Sequence, residues 1–421
     1  MYKKVFAFMM AAAMMLACLA GCGNKDTASS GAIKIGGIGP LTGGAATYGI
    51  ATKNGAQIAV DEINAKGGLQ FELNFQDDEA DGEKGVNAYS NLKDWGMQIL
   101  YGCTTTGSCV AVSGETYADR YFQLTPSASS TDVTAGKDNV FQMCFTDPNQ
   151  GIAAADYVKA NKLGEKIAVL YNNSDAYSTG IATAFVARAQ ELGMDVVAQV
   201  TFPDDTNTDF STQLNEAKAA GADLMFLPIY YTPASLMLAQ AKDMGYAPTF
   251  FGADGMDGIL TLDGFDAALA EGLMLMTPFN ATATDERTQN FVKTYTEKYG
   301  DETLNQFAAD GYDCIYAIYE ACQKNGITAS SKATEICDKL IARIGEYDSV
   351  LCANDVSSVV LMRRLLNLGY KIPEDIRIAT FTSADFKIDG LTGSGMGWTT
   401  AGEISKTPMV VEIVNGAYET K

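Results

Sequence analysis

The chain contains no histidine among its 421 residues. That absence removes the Ser-His-Asp and Cys-His catalytic pairs and every zinc site built on imidazole. Basic residues are few, 30 Lys and Arg against 51 Asp and Glu, for a formal net charge of −21. A surface so negative repels phosphate backbones, which argues for no nucleic acid partner. Cys-x-x-Cys pairs are missing, and the one glycine-rich loop, Gly39 to Gly49, lacks both the G-x-G-x-x-G order and the lysine of a phosphate loop. No metal and no cofactor is therefore called for. What is present is a core: with 47% hydrophobic and 19% charged residues, the chain is globular and long enough for two or three domains of roughly 100–200 residues.

Lys3 and Lys4 precede an apolar run from Val5 to Ala20, 16 residues long, where a spanning helix needs about 20. Residues 1–21 thus read as a secretory signal. The run ends in Leu19-Ala20-Gly21-Cys22, which resembles the bacterial lipobox and makes Cys22 the expected lipid attachment. Residues 22–31 are small and polar, the composition of a flexible tether. The folded body is expected to be extracytoplasmic and lipid-anchored to the cell membrane. Beyond Cys18 and Cys22 stand Cys103, Cys109, Cys144, Cys314, Cys322, Cys337 and Cys352, an odd number that cannot all pair. Cys103 and Cys109 could form a local disulfide; several of the others lie in apolar runs, and reduced, structural thiols are the favoured reading.

Ile33 to Ile38 is a short β-branched run, and Ala56, Ala59, Val60 and Ile63 follow at helical spacing before Gly67-Gly68. Further strands are expected near 71–76, 98–102, 122–125, 166–171, 195–201, 223–228, 249–252 and 273–276, most of them separated by helical segments. Such alternation implies α/β architecture, with two doubly wound parallel-sheet lobes. Residues 284–344 read as mainly helical, and a last strand is expected near 409–414.

In doubly wound sheets ligands bind beyond the carboxyl ends of the strands. Two loops there are hydroxyl clusters, Thr104-Thr105-Thr106 and Ser127-Ala128-Ser129-Ser130. Each is either a carboxylate site at a helix N-terminus or plain helix capping. Asp147 and Asp254 lie in comparable loops and could meet an ammonium, or cap a helix and form a turn. Tyr177, Tyr230, Tyr231 and Tyr312 stand at strand ends or helix starts, and Tyr48 lies in the glycine-rich loop after the first strand.

These loops, in order, carry a resemblance. Gly39-Pro40-Leu41-Thr42-Gly43, Asp61-Glu62-Ile63-Asn64-Ala65-Lys66-Gly67-Gly68, Gln76-Asp77-Asp78-Glu79, Thr125-Pro126-Ser127-Ala128, Asp147-Pro148-Asn149-Gln150-Gly151, Gly252-Ala253-Asp254-Gly255 and Asp389-Gly390-Leu391-Thr392-Gly393 resemble the leucine/isoleucine/valine-binding proteins of ABC importers. The resemblance implies the type I periplasmic-binding fold, two lobes joined by three crossovers, with an amino acid in the cleft. It implies that Thr106, Ser127, Ala128 and Ser129 hold the ligand carboxylate, that Asp147 and Asp254 lie near the ammonium, and that Tyr48, Tyr177, Tyr230 and Tyr312 form the walls. Asp254 stands where some members carry Glu.

The expected division is an N-lobe of 32–147 and 277–345 and a C-lobe of 148–276 and 387–421. Residues 346–386 are extra; they resemble a strand-helix-strand unit of LacI-type regulators, and the unit should add to a sheet edge or pack as an appendage, edge addition being the easier. Asn354-Asp355 within it would face a sugar in the regulators or simply start a helix. The expected function is a monomeric solute receptor that captures a small-molecule amino acid and delivers it to ABC permease subunits, with no chemistry done on the ligand. The alternative is an extracellular sensor of the same fold signalling to a membrane partner.

Overall fold

The computed structural model describes residues 31–204, 208–324, 349–352, 377–380, 387–393, 396–397, 403–404, 406 and 408–421. The first sheet holds β1 (Ile33–Gly39), β2 (Phe71–Asp77), β3 (Ile99–Gly102), β4 (Gln123–Thr125) and β5 (Val140–Gln142), all parallel, in the order β2-β1-β3-β4-β5. The second holds β6 (Lys166–Asn172), β7 (Asp195–Phe202), β8 (Leu224–Leu227), β9 (Thr249–Gly252) and β10 (Met274–Thr277) in parallel. The hairpin of β15 (Met409–Val414) and β16 (Ala417–Thr420) joins its β10 edge antiparallel.

Alternation in the strands explains how both faces of each sheet are covered. Ile167 and Val169 of β6 and Leu224 and Phe226 of β8 pack with Val158, Ile181 and Phe185, which belong to α4 (Asp147–Asn161) and α5 (Ala176–Glu191). The intervening Leu170, Met225 and Leu227 face the other way, toward Leu214 of α6 (Ser211–Ala219) and Met237 of α7 (Tyr231–Asp243). Period-two patterning thus buries each strand on both sides. In the first sheet Ile35 and Tyr101 join the core with α1 (Ala46–Ala65) and α9 (Gln306–Lys324), while Ile38 and Leu100 pack with α2 (Gly82–Trp95) and α3 (Thr106–Asp119). A further helix, α8, spans Glu286–Tyr299.

Helix α1 begins well ahead of the periodic pattern at 56–63, so Tyr48 and Gly49 occupy its first turn. It crosses α9 at Gly55, where a β-carbon would lie 1.8 Å from the Ala308 carbonyl oxygen. Gly55→Ala adds helix propensity worth about 1 kcal/mol, but the clash is with backbone and cannot be relieved by a rotamer. We expect a net loss of about 1–3 kcal/mol in urea unfolding; a stabilised variant would show that the two helices can part freely.

The chain crosses between lobes three times: after β5, after β10, and on the way back to β15. Helix α9 ties the crossovers together. Lys406 donates to Asp310 at 2.6 Å and to the Met143 carbonyl at 3.3 Å, with both charged side chains buried. Asp313 accepts from the Leu391 and Thr392 amides at 2.7 and 2.9 Å and from the Thr392 hydroxyl at 2.7 Å. The Asp389 to Gly393 motif is therefore a clamp on α9.

In the extra segment, β11 (Ser349–Cys352) and β12 (Arg377–Thr380) pair with each other, parallel, in a sheet of their own. Edge addition, the easier route on sequence grounds, is not what the strands do: among the described residues each gives one edge to the other and neither pairs with a strand of the two lobe sheets. A further pair, β13 (Lys387–Ile388) and β14 (Met396–Gly397), is antiparallel. Asn354, Asp355 and the expected helix between β11 and β12 lie outside the described residues, as do Cys22 and residues 1–30. Cys103, Cys109, Cys144, Cys314 and Cys322 are buried and unbridged, in agreement with structural thiols.

Candidate functional site

Six loops converge between the lobes, each leaving the carboxyl end of a strand. From the first lobe come Tyr48 after β1, Thr104, Thr105 and Thr106 after β3, and Ser127 after β4. From the second come Tyr177 after β6, Tyr230 after β8, and Asp254 and Gly255 after β9; Phe307 in the first turn of α9 completes the lining. Gly255 is required here, because a β-carbon would lie 2.6 Å from the Tyr177 hydroxyl.

On the first lobe, the N-cap residue of α3, Thr105, makes no side-chain cap bond. Its hydroxyl and that of Thr104 are buried without a partner. Plain capping does not account for this cluster. The first turn of a fourteen-residue helix also presents free N–H groups and the positive end of its dipole, so the corner suits an anionic oxygen. The neighbouring cluster is already engaged: the Ser127 and Ala128 amides donate to the Thr125 hydroxyl at 3.4 and 3.0 Å, and the Ser129 amide donates to the Thr106 hydroxyl at 3.2 Å.

Opposite stands the Asp254 carboxylate, 3% exposed. It accepts from the Tyr177 hydroxyl at 2.7 Å and from the Gln306 amide at 3.3 Å. Burial raises its pKa above the ordinary carboxylate value, against the pull of these hydrogen bonds. The lining includes no lysine or arginine, so a cation arriving from outside is the natural counter-charge.

The lobes touch across the site. The Tyr48 hydroxyl donates to the Gly255 carbonyl, and it accepts from the Tyr231 amide at 3.2 Å. The Thr232 hydroxyl donates to the Gly44 carbonyl at 2.7 Å. The enclosed space is about 10 Å³, room for one water molecule. A ligand the size of leucine enters only when these bonds open.

Of the residues singled out in the sequence, Tyr48, Thr106, Ser127, Tyr177, Tyr230 and Asp254 are brought together here. Ala128 packs in the core beside α2 and α3, and Ser129 sits behind Thr106. Asp147 opens α4 behind the cleft, its carboxylate facing Gly180 and without a hydrogen-bond partner of good geometry. Burial holds its carboxyl well above the usual range, with Ser129 opposing. Tyr312 is elsewhere: its hydroxyl donates to Glu62 at 2.7 Å, between α9 and α1. Thr104 and Thr105, read as part of the hydroxyl cluster though not among the residues the resemblance assigns to the ligand, line the site as well, and so do Gly255 and Phe307. Gly255 adjoins Asp254; Phe307 gave no signal.

Two motif carboxylates prove to be braces. Asp77 accepts from the Leu41 amide at 2.8 Å and the Thr42 hydroxyl at 2.6 Å, fixing the loop before α1. Asp78 accepts from Ser108 at 2.6 Å, and burial pushes it up to about 6.

A family model described as periplasmic binding protein matches residues 32–393. The Leu/Ile/Val-binding protein homolog 3 of Brucella melitensis is 35% identical over 229 residues, 53% of this chain and 61% of that protein. The chain thus covers about three fifths of this curated relative's length. Among solved structures, the branched-chain amino acid transporter substrate-binding protein of Streptococcus pneumoniae, in complex with isoleucine, superposes with a TM-score of 0.74 at 24% identity, covering 92% of this chain and 98% of that one. The ABC-transporter solute-binding protein of Rhodopseudomonas palustris BisB5, in complex with 3,4-dihydroxybenzoic acid, gives 0.72 at 18%, covering 92% and 95%. These two likenesses show the fold, two lobes with three crossovers. With the model match across most of its length, the chain belongs to the periplasmic binding protein family.

Proposed function

We propose that the protein captures an apolar α-amino acid, branched-chain foremost, between its lobes and delivers it to the permease subunits of an ABC importer. The observation that carries this reading is the polarity of the cleft. One wall offers unpartnered threonine hydroxyls and a helix N-terminus, which suit a carboxylate; the other offers the buried Asp254, which suits an ammonium. Tyr48, Tyr230 and Phe307 stand between them for an apolar side chain. The ligand leaves unchanged: no nucleophile-base pair lines the site, and Asp254 is committed to positioning. Calorimetry against a panel of amino acids is expected to give the strongest binding with leucine, isoleucine or valine. Heat from a sugar or a benzoate, with none from amino acids, would overturn the reading.

The receptor works as a monomer, held at the membrane by a lipid on Cys22. Among the described residues no helix is long and apolar enough to cross a membrane. Cys22→Ala is expected to move the protein from the membrane fraction to the soluble one and to abolish fatty-acid labelling. Retention of the variant on the membrane would point to another anchor.

A further inference from the structure

A second cavity lies at the back of the hinge, between the crossover after β10, the start of α9 and the β15–β16 hairpin. Its volume is about 120 Å³, several times the 10–15 Å³ or so that one water needs. The walls are mainly apolar, from Phe279, Leu304, Val411 and Ala417. Two polar groups stand out. Asn305, 4% exposed, uses its carbonyl oxygen to accept from the Phe307 amide at 3.0 Å, which leaves its amide nitrogen buried without a partner. Asp257, 5% exposed, accepts from the Gln306 amide at 2.9 Å and from the hydroxyl of Tyr418, which also lines the cavity, but the lining includes no lysine or arginine to neutralise its charge. A buried donor without an acceptor and a buried acid without a cation are each costly unless something supplies the missing half.

We propose that this hinge cavity is a second ligand site, for a small primary amine bearing a hydroxyl. The ammonium meets Asp257, the hydroxyl oxygen accepts from the Asn305 amide, and the carbon chain lies on Phe279, Leu304 and Val411. The site is separate from the cleft yet joined to it, since Gln306 donates its backbone N–H to Asp257 and its side-chain amide to Asp254.

The probe is 1-amino-2-butanol, titrated by calorimetry or NMR into the full chain with the cleft saturated by leucine. Saturable binding below about 10 mM is expected, with 2-butanol, which lacks the ammonium, at least about 10-fold weaker. Ala417 is exposed on β16 at the rim. Ala417→Trp should abolish amine binding while leaving leucine titration unchanged, and Asp257→Asn should weaken the amine by about 10-fold or more. Absence of saturable binding, amine binding that survives Ala417→Trp, or displacement of the amine by leucine would each overturn the proposal. Should leucine itself fail to bind, the Ala417→Trp comparison still reads the hinge cavity alone, so the two accounts fail separately.

Discussion

Asp254→Asn is expected to weaken amino-acid binding by about 10-fold to 150-fold, the loss of a charge-assisted hydrogen bond worth roughly 1.5–3 kcal/mol. Asparagine keeps the shape and can still accept from Tyr177, and its NH2, at the oxygen that met the Gln306 amide, can donate to the otherwise unpartnered Gln306 carbonyl oxygen once that amide turns over, so the variant chiefly removes the charge. The pH dependence gives an independent reading of the same group. Because burial raises the Asp254 pKa, acidification protonates it in the empty cleft, where it can no longer attract an ammonium. Affinity of the parent should therefore fall as pH drops through that raised value, while the asparagine variant, with nothing there to titrate, should show a flat profile. Equal affinities at neutral pH would place the ammonium elsewhere in the cleft.

Lys406→Met is expected to destabilise the fold by about 3–5 kcal/mol at about pH 8, as removal of one partner strands the other in the interior. Lys406 and Asp310 are 1% and 2% exposed, and Lys406 also reaches the first crossover at Met143. Burial pushes Asp310 up to about 7 against the pull of Lys406, which fixes the sign of the pH effect. A carboxyl whose folded pKa lies above its unfolded value favours the folded state below the unfolded value and loses that contribution as pH rises toward about 7. In the variant the acid should be neutral by about pH 5.5, and the penalty should shrink by roughly half or more. Urea unfolding of both proteins at the two pH values measures this. A penalty that does not change with pH would mean that Asp310 stays ionised without its lysine.

Most strands could be read from the sequence because each is a short apolar run that ends in a small or polar loop. Four were not read. Strand β5 is three residues long and β13 and β14 two each, too short for a period to show. The signal for β16 was present: Asn415-Gly416, with φ of 51° and 75°, is the pair that a two-residue hairpin turn favours. That turn makes β16 antiparallel to β15; the antiparallel pairing of β15 with β10 is a tertiary choice that the turn does not encode. In the extra segment β11 and β12 were visible as apolar runs, but their choice of each other over a lobe edge depends on tertiary geometry that no local pattern encodes.

The site was legible as loops and less so as contacts. Tyr48, Tyr177 and Tyr230 could be placed because each follows a strand. Phe307 and Tyr312 show the difficulty: five residues apart on one helix, they point about 140° from each other, so only one can face the cleft. Which one depends on how α9 lies against α1 at Gly55. Likewise the Ser127 to Ser129 amides have the right chemistry for a carboxylate, yet Thr125 and Thr106 already occupy them.

The central claim, a zwitterion held at both ends between closing lobes, is tested most directly by calorimetric titration of the full chain with leucine and with 4-methylpentanoate, which is leucine without its amine. The two share a carboxylate and an apolar body, so only the ammonium distinguishes them. Leucine should bind and 4-methylpentanoate should bind at least about 10-fold more weakly, as expected when Asp254 loses its counter-charge. Equal affinity for the two would contradict the account.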